Sequence, residues 1–135
     1  MREKPIMACI TAQPHCEKIV KAALKLSKQL NKDIIVLTVL PIKDTAENRA
    51  TALKSLKLIS DSCGVNITII YSDNPAMTIA AQASIYKPIH IFTGEDSGFL
   101  KSFCKYYKSS PISVVVDGVF CTVPAAYDVS YKTVG

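Results

Sequence analysis

Five short apolar runs, each followed by a turn and all but the last by a stretch of helical periodicity, constrain this chain more than any other feature. Residues 6–11, Ile34–Leu40, 65–71, 89–92 and Ile112–Val116 are nearly continuous in Ile, Val and other apolar residues, the pattern of strands covered on both faces of a parallel sheet. Between them the spacing changes to that of amphipathic helices. Pro14 stands at a first helical position, and Ile19, Val20, Ala23, Leu24, Ser27 and Leu30 recur on one side, with Lys18, Lys21, Lys25, Lys28 and Lys32 on the other. Asp44-Thr45-Ala46-Glu47 opens a second helix whose inward positions are Leu53, Leu56, Ile59 and Cys63, ending at Gly64. Asn74-Pro75 opens a third, with Ala76, Ile79, Ala80, Ala83 and Tyr86 inward and Pro88 as its stop. Residues 99–108 form a fourth, burying Phe99, Leu100, Phe103, Cys104 and Tyr107. Strand and helix in alternation predict an α/β fold: a doubly wound, five-stranded parallel sheet with helices on both faces. The more polar run 65–71 belongs towards an edge. A ligand crevice is expected at the turns after Thr11, Leu40 and Phe92, at the carboxyl ends of the strands.

With 135 residues, 49% of them apolar, the chain is long enough for one sizeable core and short for two. No apolar run reaches the roughly 20 residues a membrane span needs, and residues 1–5 lead into a strand rather than a signal peptide, so a cytoplasmic protein without a membrane partner is expected. The five cysteines, at 9, 16, 63, 104 and 121, form no Cys-x-x-Cys pair and are odd in number, which argues against a zinc site and a disulfide framework. The net charge of +5 comes from lysines dispersed along the chain with little aromatic surface between them, a solubility pattern more than a nucleic-acid footprint.

Chemistry concentrates at Thr93-Gly94-Glu95-Asp96-Ser97-Gly98-Phe99, where a strand meets a helix start and backbone N–H groups face a crevice. The turn holds two carboxylates and no lysine or arginine, a poor lining for phosphate unless a metal such as magnesium sits between. Gly94 and Gly98 serve either close approach of phosphate or a turn with positive φ. His15 and Cys16 lie at a helix N-terminus, where the dipole would lower a thiol pKa; His90, inside a strand run, is a core histidine. P-loop and dinucleotide-binding glycine signatures are both absent. Apart from Glu95-Asp96, no paired carboxylates, metal ligands or triad emerge, and no enzyme activity is expected.

The order of these elements, with Ile-Met-Ala-Cys-Ile-Thr at the start, Val-Leu-Thr-Val-Leu-Pro closing the second strand, and the stretch from Gly98 to the final strand, resembles the universal stress protein family over residues 5–116. In that family the fourth strand leads into a phosphate loop, Gly-x-x-Gly, a spacer, then Gly-Ser/Thr. Thr93-Gly94 matches its start and Gly98-Phe99 its end, with Phe99 in place of the hydroxyl residue and only Glu95-Asp96-Ser97 between. The family's nucleotide-binding aspartate falls on Thr11. The turn from Thr11 to Glu17 is similar to that of the universal-stress-type module in bacterial potassium-sensing histidine kinases.

The resemblance implies a degenerate nucleotide site at Thr11, Ala12, Gln13, Val39, Leu40, Thr93, Gly94, Ser97 and Gly98. It also implies a regulatory, stress-response role in signalling through dimerisation or a partner, with no obligatory cofactor. A working ATP- or AMP-binding member and a thiol redox sensor through Cys16 are the alternatives. Residues 1–117 make up the domain. Residues 118–135, with the β-prone run Val119–Val123, are expected to be an extra strand or dimerisation arm of a homodimer formed by the last strand and the tail.

Overall fold

The computed structural model describes residues 4–94, 97–116 and 119–123. Its centre is a six-stranded sheet: β1 (Ile6–Ile10), β2 (Ile34–Leu40), β3 (Ile67–Tyr71), β4 (His90–Gly94), β5 (Ile112–Val116) and β6 (Val119–Val123), in the spatial order β3-β2-β1-β4-β5-β6. The first five run parallel, as the alternation of runs and helices demands. Strand β3, none of whose residues is fully buried, takes one edge. The second β-prone run, β6, turns back and pairs antiparallel with β5, Ile112 opposite Val123 and Val116 opposite Val119. Residues 124–135 of the expected arm lie outside the described residues.

The crossovers are α1 (Glu17–Leu30), preceded by a single 3-10 turn over Pro14–Cys16, α2 (Ala46–Cys63), α3 (Pro75–Tyr86) and α4 (Ser97–Tyr106). Their ends follow local chemistry. Thr45 Oγ1 accepts from the Asn48 N–H at 3.0 Å and Asn74 Oδ1 from the Met77 N–H at 3.2 Å, each satisfying a donor that the first helical turn leaves open. At the other ends Asn31 (φ 53°), Gly64 (φ 67°) and Lys87 (φ 50°) take the left-handed conformation that closes a helix.

Two cores result, one per face. Ile6, Ala8, Ile10, Val36, Leu40, Phe92 and Val115 pack under α1 and α2, while Met7, Cys9, Leu37, Ile91, Ile112 and Val114 pack under α3 and α4. This division is the period-two alternation of each strand.

Several expectations are corrected at the helix level. Leu30 (44% exposed) and Leu53 (38%) do not reach the core: Leu30 is the last residue of α1, and Leu53 lies beside the stripe that Leu56 and Ile59 bury. The fourth helix starts at Ser97 rather than residue 99, and β4 extends through Gly94, so only residues 95–96 separate the two. Gly98 is therefore an exposed first-turn helical residue, not part of the turn. No helix of the described residues is long and apolar enough to cross a membrane.

Candidate functional site at the carboxyl ends of the strands

In a doubly wound sheet the crevice opens where neighbouring strands send their crossovers to opposite faces. Here that point lies between β1 and β4. A cleft of about 570 Å³ occupies it. The end of β1 contributes Cys9, Ile10 and Thr11, β2 contributes Val39, and β4 contributes Thr93 and Gly94. The remaining wall comes from helix starts: Gln13, His15 and Cys16 before α1, Asp73 to Ala76 at the head of α3, and Gly98, Phe99 and Ser102 on α4.

Of the residues expected here, Thr11, Gln13, Val39, Thr93, Gly94 and Gly98 line this one cleft. Ala12 and Leu40 pack instead against the core under α1 and α2. Leu40, the last residue of β2, faces the core under α1 and α2, on the opposite side of the strand from Val39. Ser97 opens α4, and its side chain, like Glu95 and Asp96, lies outside what the structure describes. Asp73, Asn74, Pro75, Ala76 and Ile79 are a wall that the sequence marked only as a helix start. Their signal was the Asn-Pro pair itself, which places a helix N-terminus after an edge strand and therefore beside the crevice.

Gly94 has a specific packing role. A Cβ built there would lie 3.2 Å from Ile19 Cδ1, a tight contact that Ile19 would have to relieve by moving a few tenths of an ångström. Among the described glycines only Gly64 has positive φ, so close approach, not turn geometry, accounts for Gly94.

The polar chemistry is modest. Thr11 Oγ1 and Cys16 Sγ are 3.3 Å apart. Cys16 is 2% exposed, packed with Ile10, Ile19 and Val20. Burial pushes the Cys9 thiol up to about 12, so it is protonated at neutral pH. The Asp73 carboxylate accepts from the Ile42 N–H at 3.4 Å. Arg49 donates to the Ile42 carbonyl at 2.8 Å and lies over the Tyr71 ring, and it does not line the cleft. Among the described residues no lysine or arginine lines it, and no group of three metal-ligating side chains occurs. His90 lies elsewhere, half-buried, with Nε2 2.6 Å from Ser113 Oγ.

Sheet order, crossovers and cleft position define a doubly wound α/β domain whose carboxyl-end crevice is sized for a small ligand. The fold is that of the universal stress proteins. A universal stress protein from Archaeoglobus fulgidus, solved in complex with dAMP, superposes with a TM-score of 0.64 at 15% identity, over 84% of this chain and 98% of that one. A family protein from Burkholderia pseudomallei gives 0.59 at 12% identity, covering 83% and 96%. A second from Archaeoglobus fulgidus gives 0.57 at 15%, covering 82% and 43%. No protein-family model matches the chain, and no curated protein does.

Proposed function

We propose that this chain is a universal-stress-type regulatory domain that works in the cytoplasm without catalysis, through a homodimer or a protein partner, and whose cleft takes nucleotides only weakly. The observation that carries this reading is the lining of the cleft: its position and volume suit a nucleoside, but among the described residues it offers a polyphosphate no lysine or arginine. The Asp73 carboxylate on its wall adds repulsion. The dAMP complex of a protein with the same fold supports reading the space as nucleotide-sized. Phe99, in place of a hydroxyl residue, and Thr11, in place of an acidic one, support weak binding. The similarity of the turn from Thr11 to Glu17 to the kinase-associated modules supports a role in a sensory assembly.

The test is a thermal-shift titration with AMP and with ATP and magnesium. A ligand bound only to the native state stabilises it by RT ln(1 + [L]/Kd), so a dissociation constant of about 1 mM or weaker, roughly −4 kcal/mol, gives no more than about 0.4 kcal/mol at 1 mM ligand. Saturation at micromolar nucleotide, or a nucleotide retained through purification, would overturn weak binding and favour a working ATP- or AMP-binding protein.

A further inference from the structure

The opposite end of the sheet holds a second concavity whose chemistry is the reverse of the first. Strands β1, β4 and β5 are neighbours and parallel, so the residues that precede them emerge side by side. The Ile89 N–H donates to the Pro5 carbonyl at 2.8 Å and the Ile91 N–H to the Pro111 carbonyl at 3.0 Å, extending the alignment beyond the strands. Lys4 is thereby set beside Lys87 and Pro88, and these beside the segment from Lys108 to Ser110. With strands about 4.8 Å apart, Lys4, Lys87 and Lys108 line one pocket of about 430 Å³, together with Ser84 and Ser109.

Among the described residues no carboxylate lines this pocket. The ion pairs seen among the described residues, Lys21 with Glu17 and Lys57 with Asp61, are elsewhere. Lysines near helix ends commonly do no more than offset the dipole, and both α3 and α4 end here. Two helix C-termini supply about half a negative charge each. Three lysines exceed that by about two positive charges.

The wall is braced. Ser110, 2% exposed, donates to the Pro88 carbonyl and lies 2.6 Å from the Tyr107 hydroxyl, tying the loop after α4 to the loop after α3. Lys87 caps α3 in the left-handed conformation, its N–H on the Ala83 carbonyl at 2.7 Å. Glycine or asparagine holds that conformation with less strain. Lys87 thus sets a long cationic side chain against the braced wall of the pocket.

We propose that this pocket binds a compact phosphate-class anion, held by Lys4, Lys87 and Lys108 with the Ser109 hydroxyl, the Ser84 hydroxyl being engaged as a donor to the Ala80 carbonyl. Its charge balance selects a dianion or a more highly charged group over chloride. The site lies at the other end of the strands from the cleft and is independent of nucleotide binding there.

Pyrophosphate titrated into the full chain, followed by amide chemical shifts with sodium chloride at matched ionic strength as the reference, tests this. Resonances of Ser84, Lys87, Lys108 and Ser109 should move and saturate, while those of Thr11, Thr93 and Gly94 stay in place. The triple variant K4Q/K87N/K108Q, in which asparagine keeps the left-handed cap, should fold with an unchanged far-UV spectrum and bind at least tenfold more weakly. The single variant K108Q, outside every regular element, should show a smaller loss if the triple variant unfolds. Shifts no larger than those in chloride, shifts confined to the cleft residues, or affinity unchanged in both variants would overturn the proposal.

Discussion

Thr38 is the least satisfied residue in the core. It is fully buried in β2, with Ile10 and Ile69 as its neighbours in register, and its Oγ1 has no hydrogen-bond partner. An unpaired buried hydroxyl costs about 1–3 kcal/mol, and valine keeps the shape without the polar atom. Thr38→Val is therefore expected to stabilise the protein by about 1 kcal/mol, read as a higher urea midpoint with an unchanged m-value; a lower midpoint would contradict this. His90 sets a pH dependence. Burial holds its pKa below the ordinary 6.5, so as pH falls through that value the unfolded chain takes up a proton that the native ring resists. Unfolded protein then binds more protons than native, and stability falls with acidification. Wild type should lose more stability between about pH 7.5 and 5.5 than His90→Gln, which keeps a hydrogen-bonding group near Ser113 Oγ. Equal losses in urea unfolding would contradict it.

Strands were the most legible elements, because five apolar runs in alternation with helices leave a parallel sheet as the way to cover both faces. Helix ends were less so: periodicity marked Leu30 and Leu53 as apolar positions but not that one closes a helix and the other borders the buried stripe. The cleft was legible where it consists of strand ends, through Thr11, Val39, Thr93 and Gly94. The wall from Asp73 to Ile79 was not, since periodicity tells which side of a helix is apolar and not which distant strand it will meet. Strand β6 covers the edge of β5, so the outward edge on that side is β6 itself. Unpaired edge groups are a template for another copy of the chain. Light scattering at micromolar concentration is expected to show a homodimer for the full chain, and a shift towards monomer after deletion of residues 118–135. A full-length monomer would end the dimer reading.

At the scale of the whole molecule the two ends of the sheet differ in charge. The carboxyl ends open on a cleft whose described lining holds no lysine or arginine, and the amino ends on a pocket lined by three lysines. The β1–β4 pairing that separates these ends also governs the birth of the protein. Ile6 is in register with Ile34 on one side and with His90 on the other, so the central strand gains its second neighbour only after about 80 more residues have been made. On a ribosome adding about 5–20 residues per second, β1 waits for several seconds with one flank bare. The slow step in reaching the native state is then the arrival of β4, a long-range closure of the kind that places folding in the slower range of times, and nascent chains stalled before residue 90 should be the ones that chaperones hold.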